Sequence, residues 1–497
     1  MIANEKAKTS SDFEQVREDV IGILAGSDFL SADEVRILPP GLLDSLAKAK
    51  AFGLCGTKEH GGAELAISEA NAVITAAATF DASVASAMVI HNFLSTPCLE
   101  NAVDLIGKDE ILRRTASGEA LCAFALTEHG AGSAPRYISA TAVKTETGYR
   151  INGTKIWIGL GAWAENVVCF AKVPDQGNRV SAFLVDTKSP GFSVQHEHKT
   201  MGLRGIVQNT LKFEDVEVPF DRCLSGHGNG YNVAKNSMNK GRLGVAAMSL
   251  GVALRATQVV SLYVSQRKIG TQFLVGNPFV QKQIGDMVQR IECMKKILRF
   301  AEAAPQDAPL AEYMATVAKV ICSEWANEIA NEALQLLGGR GYEEDVLVGR
   351  MYRDARIMKI FEGPTEVLLA HLDRIFSSKA TSVSMEVAFG QIDAADLYAK
   401  TLVKVRGDHA NGADREVYRG WAIALSFAIG VCRRDEAAKG TVDYLSRRLA
   451  LILDKVEEQG RGGEHLPQLI EDFLASANGS IRKPNFDQTF MSVKGFV

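Results

Sequence analysis

Tyr149-Arg150-Ile151-Asn152-Gly153-Thr154-Lys155-Ile156-Trp157-Ile158 is the stretch on which the fold turns. Apolar and polar residues alternate along it, as they do in a half-buried strand. It follows a second alternating run, Thr141-Ala142-Val143-Lys144-Thr145-Glu146, across a turn at Gly148, and its own Asn152-Gly153 pair is a turn signal. Short runs at 167–173, 180–185 and 209–216 repeat the pattern between turn residues, so 124–220 reads as a compact β domain. Upstream the texture is helical: an amphipathic start at 41–46, a proline-free alanine-rich run at 67–88, and 108–114. Downstream, helical periodicity runs from 230 to 377, broken at 270–278, 305–309 and 338–341, and a polar seam at 377–382 leads into a further helical region. The order helices, β, helices predicts an α+β fold with grooves where the layers meet, the favoured place for a large ligand. The expected divisions are 1–120, 121–228, 229–378 and 379–497.

Bulk properties narrow the function. The chain has 497 residues, 46% hydrophobic and 23% charged, well beyond the roughly 250–300 residues at which single cores divide. Its 55 basic and 59 acidic residues leave a formal charge of −4, which excludes nucleic acid as a main partner. Eight cysteines, none in a Cys-x-x-Cys pair, read as reduced core residues of a cytoplasmic protein. The N-terminus lacks the basic-then-apolar order of a signal peptide, and the lipophilic run 421–432 is too short to cross a bilayer and suits a buried helix. His196 and His198 alternate along an expected strand with His227 beyond, but no acidic or cysteine partners complete a metal set.

Chemistry points to one carboxylate. Glu362 lies in Arg353-Asp354-Ala355-Arg356-Ile357-Met358-Lys359-Ile360-Phe361-Glu362-Gly363, downstream of the glycine turn Gly338-Gly339-Arg340-Gly341-Tyr342. A lone carboxylate in an apolar segment has the raised basicity that abstraction of a carbon-bound proton requires. From local sequence alone it reads first as a glutamate at a helix start, and the rest of the chain turns that reading. Thr127 offers a hydroxyl beside Gly130 and Gly132, which let backbone N–H groups approach a ligand. Trp157 reads as sheet core, Arg267 as a solvated helix end, Gly339 as a helix stop, and Arg242 as a member of a buried ion pair.

Taken together, six blocks resemble the acyl-CoA dehydrogenase family over roughly residues 15–375. They are Ala125-Leu126-Thr127-Glu128-His129-Gly130-Ala131-Gly132-Ser133, Ile151-Asn152-Gly153-Thr154-Lys155-Ile156-Trp157-Ile158 and Val216-Glu217-Val218-Pro219. Then come Asn239-Lys240-Gly241-Arg242, Leu334-Gln335-Leu336-Leu337-Gly338-Gly339-Arg340-Gly341-Tyr342 and Phe361-Glu362-Gly363. The resemblance implies an N-terminal helical domain, a middle β-barrel domain, a C-terminal helical bundle and an added helical C-terminal region. The Asn239–Arg242 block and the long tail look most like the very-long-chain branch.

By that resemblance the chain is an FAD-dependent oxidoreductase of lipid metabolism. It oxidises an acyl thioester, acyl-CoA first of all, to a trans-2-enoyl thioester. Glu362 takes the α proton while hydride leaves Cβ for the flavin. The backbone amide of Glu362 and a ribityl hydroxyl stabilise the enolate-like carbonyl. Thr127 and Trp157 then face the flavin, Arg267 meets the pyrophosphate of FAD, and Gln335 and Gly339 complete the dinucleotide site across a subunit interface. Ser133 lies toward substrate or pyrophosphate and Asn239 toward substrate, with Arg242 in support. An electron-transfer flavoprotein or another acceptor reoxidises FAD. A homodimer is expected, a tetramer being the alternative, and the tail implies peripheral membrane contact. The pattern is broken at Gly159 and Pro364, where threonine is usual, at Pro278, where glutamine is usual, and at His129 and Asn239. Each lost side-chain hydrogen bond weakens binding by about 0.5–1.5 kcal/mol. Two alternatives follow from those breaks: an acyl group on a carrier protein as substrate, or a noncatalytic FAD-binding assembly protein.

Overall fold

The computed structural model describes residues 11–226, 228–304, 309–377, 396–397, 413–433 and 438–458. His227 and most of the 377–382 seam lie outside them. The chain forms two compact units, Met1–Thr365 and Glu366–Val497. That division falls inside the segment 229–378 expected as one domain, and the three blocks before residue 365 form one compact unit.

The first unit opens with α1 (Ser11–Ala25), α2 (Phe29–Val35), α3 (Leu42–Lys48), α4 (Ile67–Phe80), α5 (Ala82–Val89), α6 (Thr96–Glu100) and α7 (Lys108–Ala116). The alanine-rich run expected as one helix is two. Asp81 takes an extended conformation (φ −152°), ends α4 and caps α5 by accepting the Val84 N–H at 2.9 Å. Between α5 and α6, Ile90–Ser95 is a π-helical turn. Its carbonyls are satisfied from within, since Ser95 Oγ donates to Ile90 O at 3.1 Å and Thr96 Oγ1 to His91 O at 2.7 Å. His91 is fully buried and stitches the helices to the sheet. Cys122 N–H donates to Nδ1 at 3.1 Å, and Nε2 reaches Thr115 O at 3.0 Å. Burial lowers its pKa to about 4 against the raising pull of the Thr115 and Phe52 backbone, which leaves it neutral.

The middle segment is a seven-stranded sheet ordered β1-β4-β2-β3-β7-β6, with β5 on β4. Its strands are β1 (Cys122–Ala125), β2 (Thr141–Lys144), β3 (Gly148–Gly159), β4 (Asn166–Val173), β5 (Arg179–Asp186), β6 (Phe192–Glu197) and β7 (Gln208–Pro219). Among the described residues no pairing joins β6 to β1 or β5, so the expected barrel is an open half-barrel. The run that decided the fold is β3. It pairs antiparallel with β2 and β7, and its register with β7 slips between Lys155 and Ile158. At that bulge Trp157 adopts φ +55°. Lys155, fully buried, donates to Glu128 Oε1 at 2.7 Å and to Leu126 O at 3.1 Å. Burial works to raise the Glu128 pKa, but Lys155 and the Ser139 donors outweigh it and hold the carboxylate low.

The long α8 (Gly230–Gln266) runs through the centre, packed against α4, α9 (Pro278–Glu302) and α10 (Pro309–Leu337). From Leu243 to Ala253 every residue is buried. A side chain at Gly244 would lie 2.8 Å from both Phe93 and Val89, so glycine is what lets α8 approach the π turn. A small hairpin, β8 (Lys268–Ile269) with β9 (Gln272–Phe273), separates α8 from α9, and α11 (Leu347–Met358) ends before the Glu362 turn. Two helical stretches, Ala82–Glu100 and Gly230–Gln266, are long and apolar enough to cross a membrane by composition, and 94% and 78% of their most apolar 18-residue windows lie inside the protein. All eight cysteines are free, and six are buried. Burial, the largest influence on each, pushes the Cys98 thiol up to about 12 and Cys169 to about 11.

The second unit contains most of α12 (Thr365–Ser377) and helices Ala413–Arg433 and Lys439–Glu458. Arg419 clamps Asp373 with two bonds, at 3.0 and 2.6 Å, and a Cβ at Gly420 would fall 2.3 Å from Leu369 O. The run 421–432 is a buried helix face, with Ala422 to Ile429 at most 2% exposed.

Lys155→Met should destabilise the protein by about 3–5 kcal/mol in chemical unfolding, because it strands the buried Glu128 charge. Arg113→Met, which breaks only exposed pairs with Glu110 and Glu119, should leave the midpoint where it was. Equal effects would show that the Lys155–Glu128 pair does not hold the sheet.

Candidate active site

Glu362 sits on a non-helical turn after α11, at φ +53°, followed by Gly363 at φ +98°. A left-handed glutamate is strained by about 1–3 kcal/mol, and such strain collects at functional positions. Three bonds hold the turn. Lys319, fully buried on α10, donates to Gly363 O at 2.7 Å, Arg242 Nε to Glu362 O at 3.4 Å, and Thr365 N to Lys359 O at 3.0 Å. Thr365 Oγ1 also donates to Glu324 Oε1 at 2.6 Å, whose Oε2 pairs with Lys359 at 2.9 Å.

The residue as a whole is half-buried, yet its Oε2 is enclosed and accepts no hydrogen bond among the described residues. Gly241 on α8 explains the enclosure, since a Cβ there would lie 3.2 Å from that oxygen and 2.5 Å from Leu94 of the π turn. Burial raises the carboxyl pKa to about 7, against the opposing pull of Arg242 and Lys319. The result is a base poised near neutrality with an unspent lone pair. Arg242 is itself 8% exposed and bonds Asn239 Oδ1 and Thr316 Oγ1, each at 3.2 Å. Burial pulls its pKa down, while Glu362, Glu312 and Tyr231 pull it up.

The structure thus gathers Glu362, Arg242 and Asn239 into one network. Thr127 and Trp157 form a second group on the sheet, where Ile156 N donates to Thr127 O at 3.0 Å. The reading of Trp157 as sheet core is corrected: it is 52% exposed, because the bulge and positive φ turn the indole outward. His198 packs beside it, ring centroids 6.2 Å apart. The two groups face the same π turn, for a Cβ at Gly159 would lie 2.4 Å from Ile90. Ser133 stands on an exposed loop. Arg267 closes the end of α8, where its N–H meets Tyr263 O at 2.8 Å. Arg267, Gln335 and Gly339 are all exposed, and among the described residues nothing lies within 4 Å of where a Gly339 Cβ would sit. None of these three joins the Glu362 network. Sequence reasoning missed Lys319, Leu94 and Ile90, residues of ordinary helical pattern whose roles come only from packing. Among the described residues no cluster of three His, Cys, Asp or Glu could hold a metal.

These residues fit a flat, largely apolar ring with polar edges. Trp157 presents an aromatic face at strained backbone, and the Thr127 hydroxyl has no side-chain partner among the described residues.

Comparison with known proteins agrees. The acyl-CoA dehydrogenase N-terminal domain matches residues 26–119, the middle domain 123–216 and the C-terminal domain 228–376. An acyl-CoA dehydrogenase of Bacillus subtilis is 31% identical over 335 residues, covering 66% of this chain and 87% of its own length. The caffeyl-CoA reductase–Etf complex subunit CarC of Acetobacterium woodii is 37% identical over 262 residues, 52% of this chain and 69% of that one. An acyl-CoA dehydrogenase from Bacillus anthracis, solved in complex with FAD, superposes with a TM-score of 0.79 at 21% identity, over 94% of this chain and 91% of its own. The chain belongs to the acyl-CoA dehydrogenase family and is an FAD-dependent oxidoreductase of that type.

The folded Glu362 carboxyl keeps its proton up to about pH 7, whereas unfolded chain releases it near 4.5. Stability is therefore lost as pH rises through that window. Glu362→Gln removes the loss, so its thermal midpoint should exceed the parent's above pH 7 and converge with it below 4.5. No gain at the alkaline end would mean that the carboxyl is not enclosed.

Proposed function

We propose that Glu362 Oε2 is the base that removes the α proton of an acyl thioester, acyl-CoA first of all, in the α,β-dehydrogenation that this family performs. The observation that carries the assignment is the enclosed, partnerless Oε2 on a strained turn. FAD, when bound, supplies the hydride acceptor. Arg242 and Lys319 position the base, and their pull on its pKa offsets part of the rise that burial causes, which leaves it poised near pH 7. Closure of the α8 side by Leu94 excludes water from the carboxylate and strengthens each local charge.

Thr127 and Trp157 are proposed to face the flavin, with Ser133 and Asn239 toward substrate. Arg267 and Gln335 stand exposed without side-chain partners among the described residues, and open space surrounds Gly339, which suits a dinucleotide shared with a second copy in a homodimer. An electron-transfer flavoprotein is the proposed acceptor, in keeping with the Etf complex of the caffeyl-CoA relative. The Asn239–Arg242 block and the second unit favour the very-long-chain branch, and with it a peripheral membrane contact. Free, buried cysteines favour the cytoplasm.

Anaerobic addition of acyl-CoAs of increasing length to the purified flavoprotein should bleach its visible band, with a length dependence that ranks substrates. An oxidised band that no acyl-CoA changes, but that a carrier-bound acyl group bleaches, would transfer the assignment to carrier substrates. Glu362→Gln should keep FAD and lose bleaching; normal reduction in that variant removes Glu362 as base. Arg242→Ala should move the pH dependence of bleaching above pH 7, since a cation that lowers the Glu362 pKa is gone, and an unmoved profile would deny it that positioning role. Arg267→Ala should retain less FAD, and unchanged affinity would refute its dinucleotide contact.

A further inference from the structure

We propose that the Gln208 side-chain carboxamide is a cofactor contact, hydrogen-bonding the polar edge of the isoalloxazine ring from the slot opened by Gly159. This rests on the reading of Trp157 as facing the flavin. Gln208 begins β7 and is the register partner of Gly159, two residues beyond Trp157 on β3. Were Gly159 to carry a Cβ, that atom would lie 3.3 Å from Gln208 Nε2, 3.7 Å from its Oε1 and 2.4 Å from Ile90 Cδ1. The missing side chain at 159 thus leaves room that an amide and one methyl group fill.

Backbone alternation places Gln208 on the same face of β7 as Thr210. Thr210 Oγ1 meets His198 Nε2 at 2.9 Å, and His198 packs beside Trp157, so the Gln208 side chain belongs to the Trp157 face. The other boundary of the slot is Ile90, on the π turn whose Leu94 closes over Glu362. Gln208 therefore lies on the Trp157 face and beside Ile90 of the π turn.

The main chain of Gln208 is committed, its carbonyl accepting His198 N–H at 2.8 Å, but its half-buried carboxamide makes no side-chain hydrogen bond among the described residues. The neighbouring amide shows the contrast. Asn209 is buried, and its Oδ1 is spent on Ala162 N–H at 2.9 Å. A half-buried primary amide with free donors and a free acceptor complements a ring edge that itself carries both N–H and carbonyl groups.

The test compares wild type, Gln208→Met and Gln208→Glu as apoproteins titrated with FAD by flavin fluorescence, with the thermal midpoint of each apoprotein and the flavin reduction potential of each holoprotein. Gln208→Met keeps the shape and removes the polar group, so FAD should bind about 2- to 10-fold more weakly with the apoprotein midpoint unchanged. Gln208→Glu, which sets a negative charge beside the ring, should lower the reduction potential. Wild-type affinity and potential in both variants overturn the proposal. So does an apoprotein midpoint that falls in both, which would give Gln208 a structural role in the sheet. Failure of the wild type itself to bind FAD would instead sink the underlying flavin reading.

Discussion

A carboxylate withheld from water on a left-handed turn is the constraint to which the first unit answers. The strained backbone and the partnerless Oε2 of Glu362 both oppose folding, the second by several kcal/mol if the group were charged with nothing near it. Two cations on two helices meet that demand. Arg242 of α8 and Lys319 of α10 hold the carbonyls of Glu362 and Gly363, so the turn stays in place only while those helices stay packed. Neither cation donates to Oε2. The helices therefore fix the backbone and leave the reactive oxygen unspent.

The π turn makes that packing compatible with a cleft. One widened turn between α5 and α6 presents Ile90 to the sheet and Leu94 to α8, and it keeps its carbonyls satisfied through Ser95 and Thr96. A regular helix would offset these side chains differently and leave no such wedge. His91, held neutral by burial and bonded on both ring nitrogens, fastens the wedge to β1. Close contact then requires small residues opposite, which are Gly241 and Gly244 on α8 and Gly159 on β3.

The helix–sheet–helix plan was legible because β3 alternates with period two and α8 and α10 do not. Helix breaks at 270–278 and 338–341 were legible from glycine and proline. The break at Asp81 was not, because an aspartate inside an alanine-rich run carries no strong stop signal until its backbone extends. Glu362 stood out through its motif, but its environment could not be read, since Lys319 lies 43 positions earlier in a helix of ordinary pattern. Trp157 misled locally for a related reason. Strand alternation predicts an inward aromatic, and only the bulge, which depends on β7, reverses it. Gln208 carries no motif, and its place beside Gly159 is a fact of register.

The cysteines carry a consequence for a flavin enzyme's lifetime. Reduced flavins leak electrons to oxygen, and the resulting peroxide attacks thiolate and not thiol. With burial pushing Cys98 and Cys55 up to about 12 and Cys169 to about 11, almost none of these groups is ionised at neutral pH. Peroxide that forms near the flavin therefore meets few thiolates in the first unit.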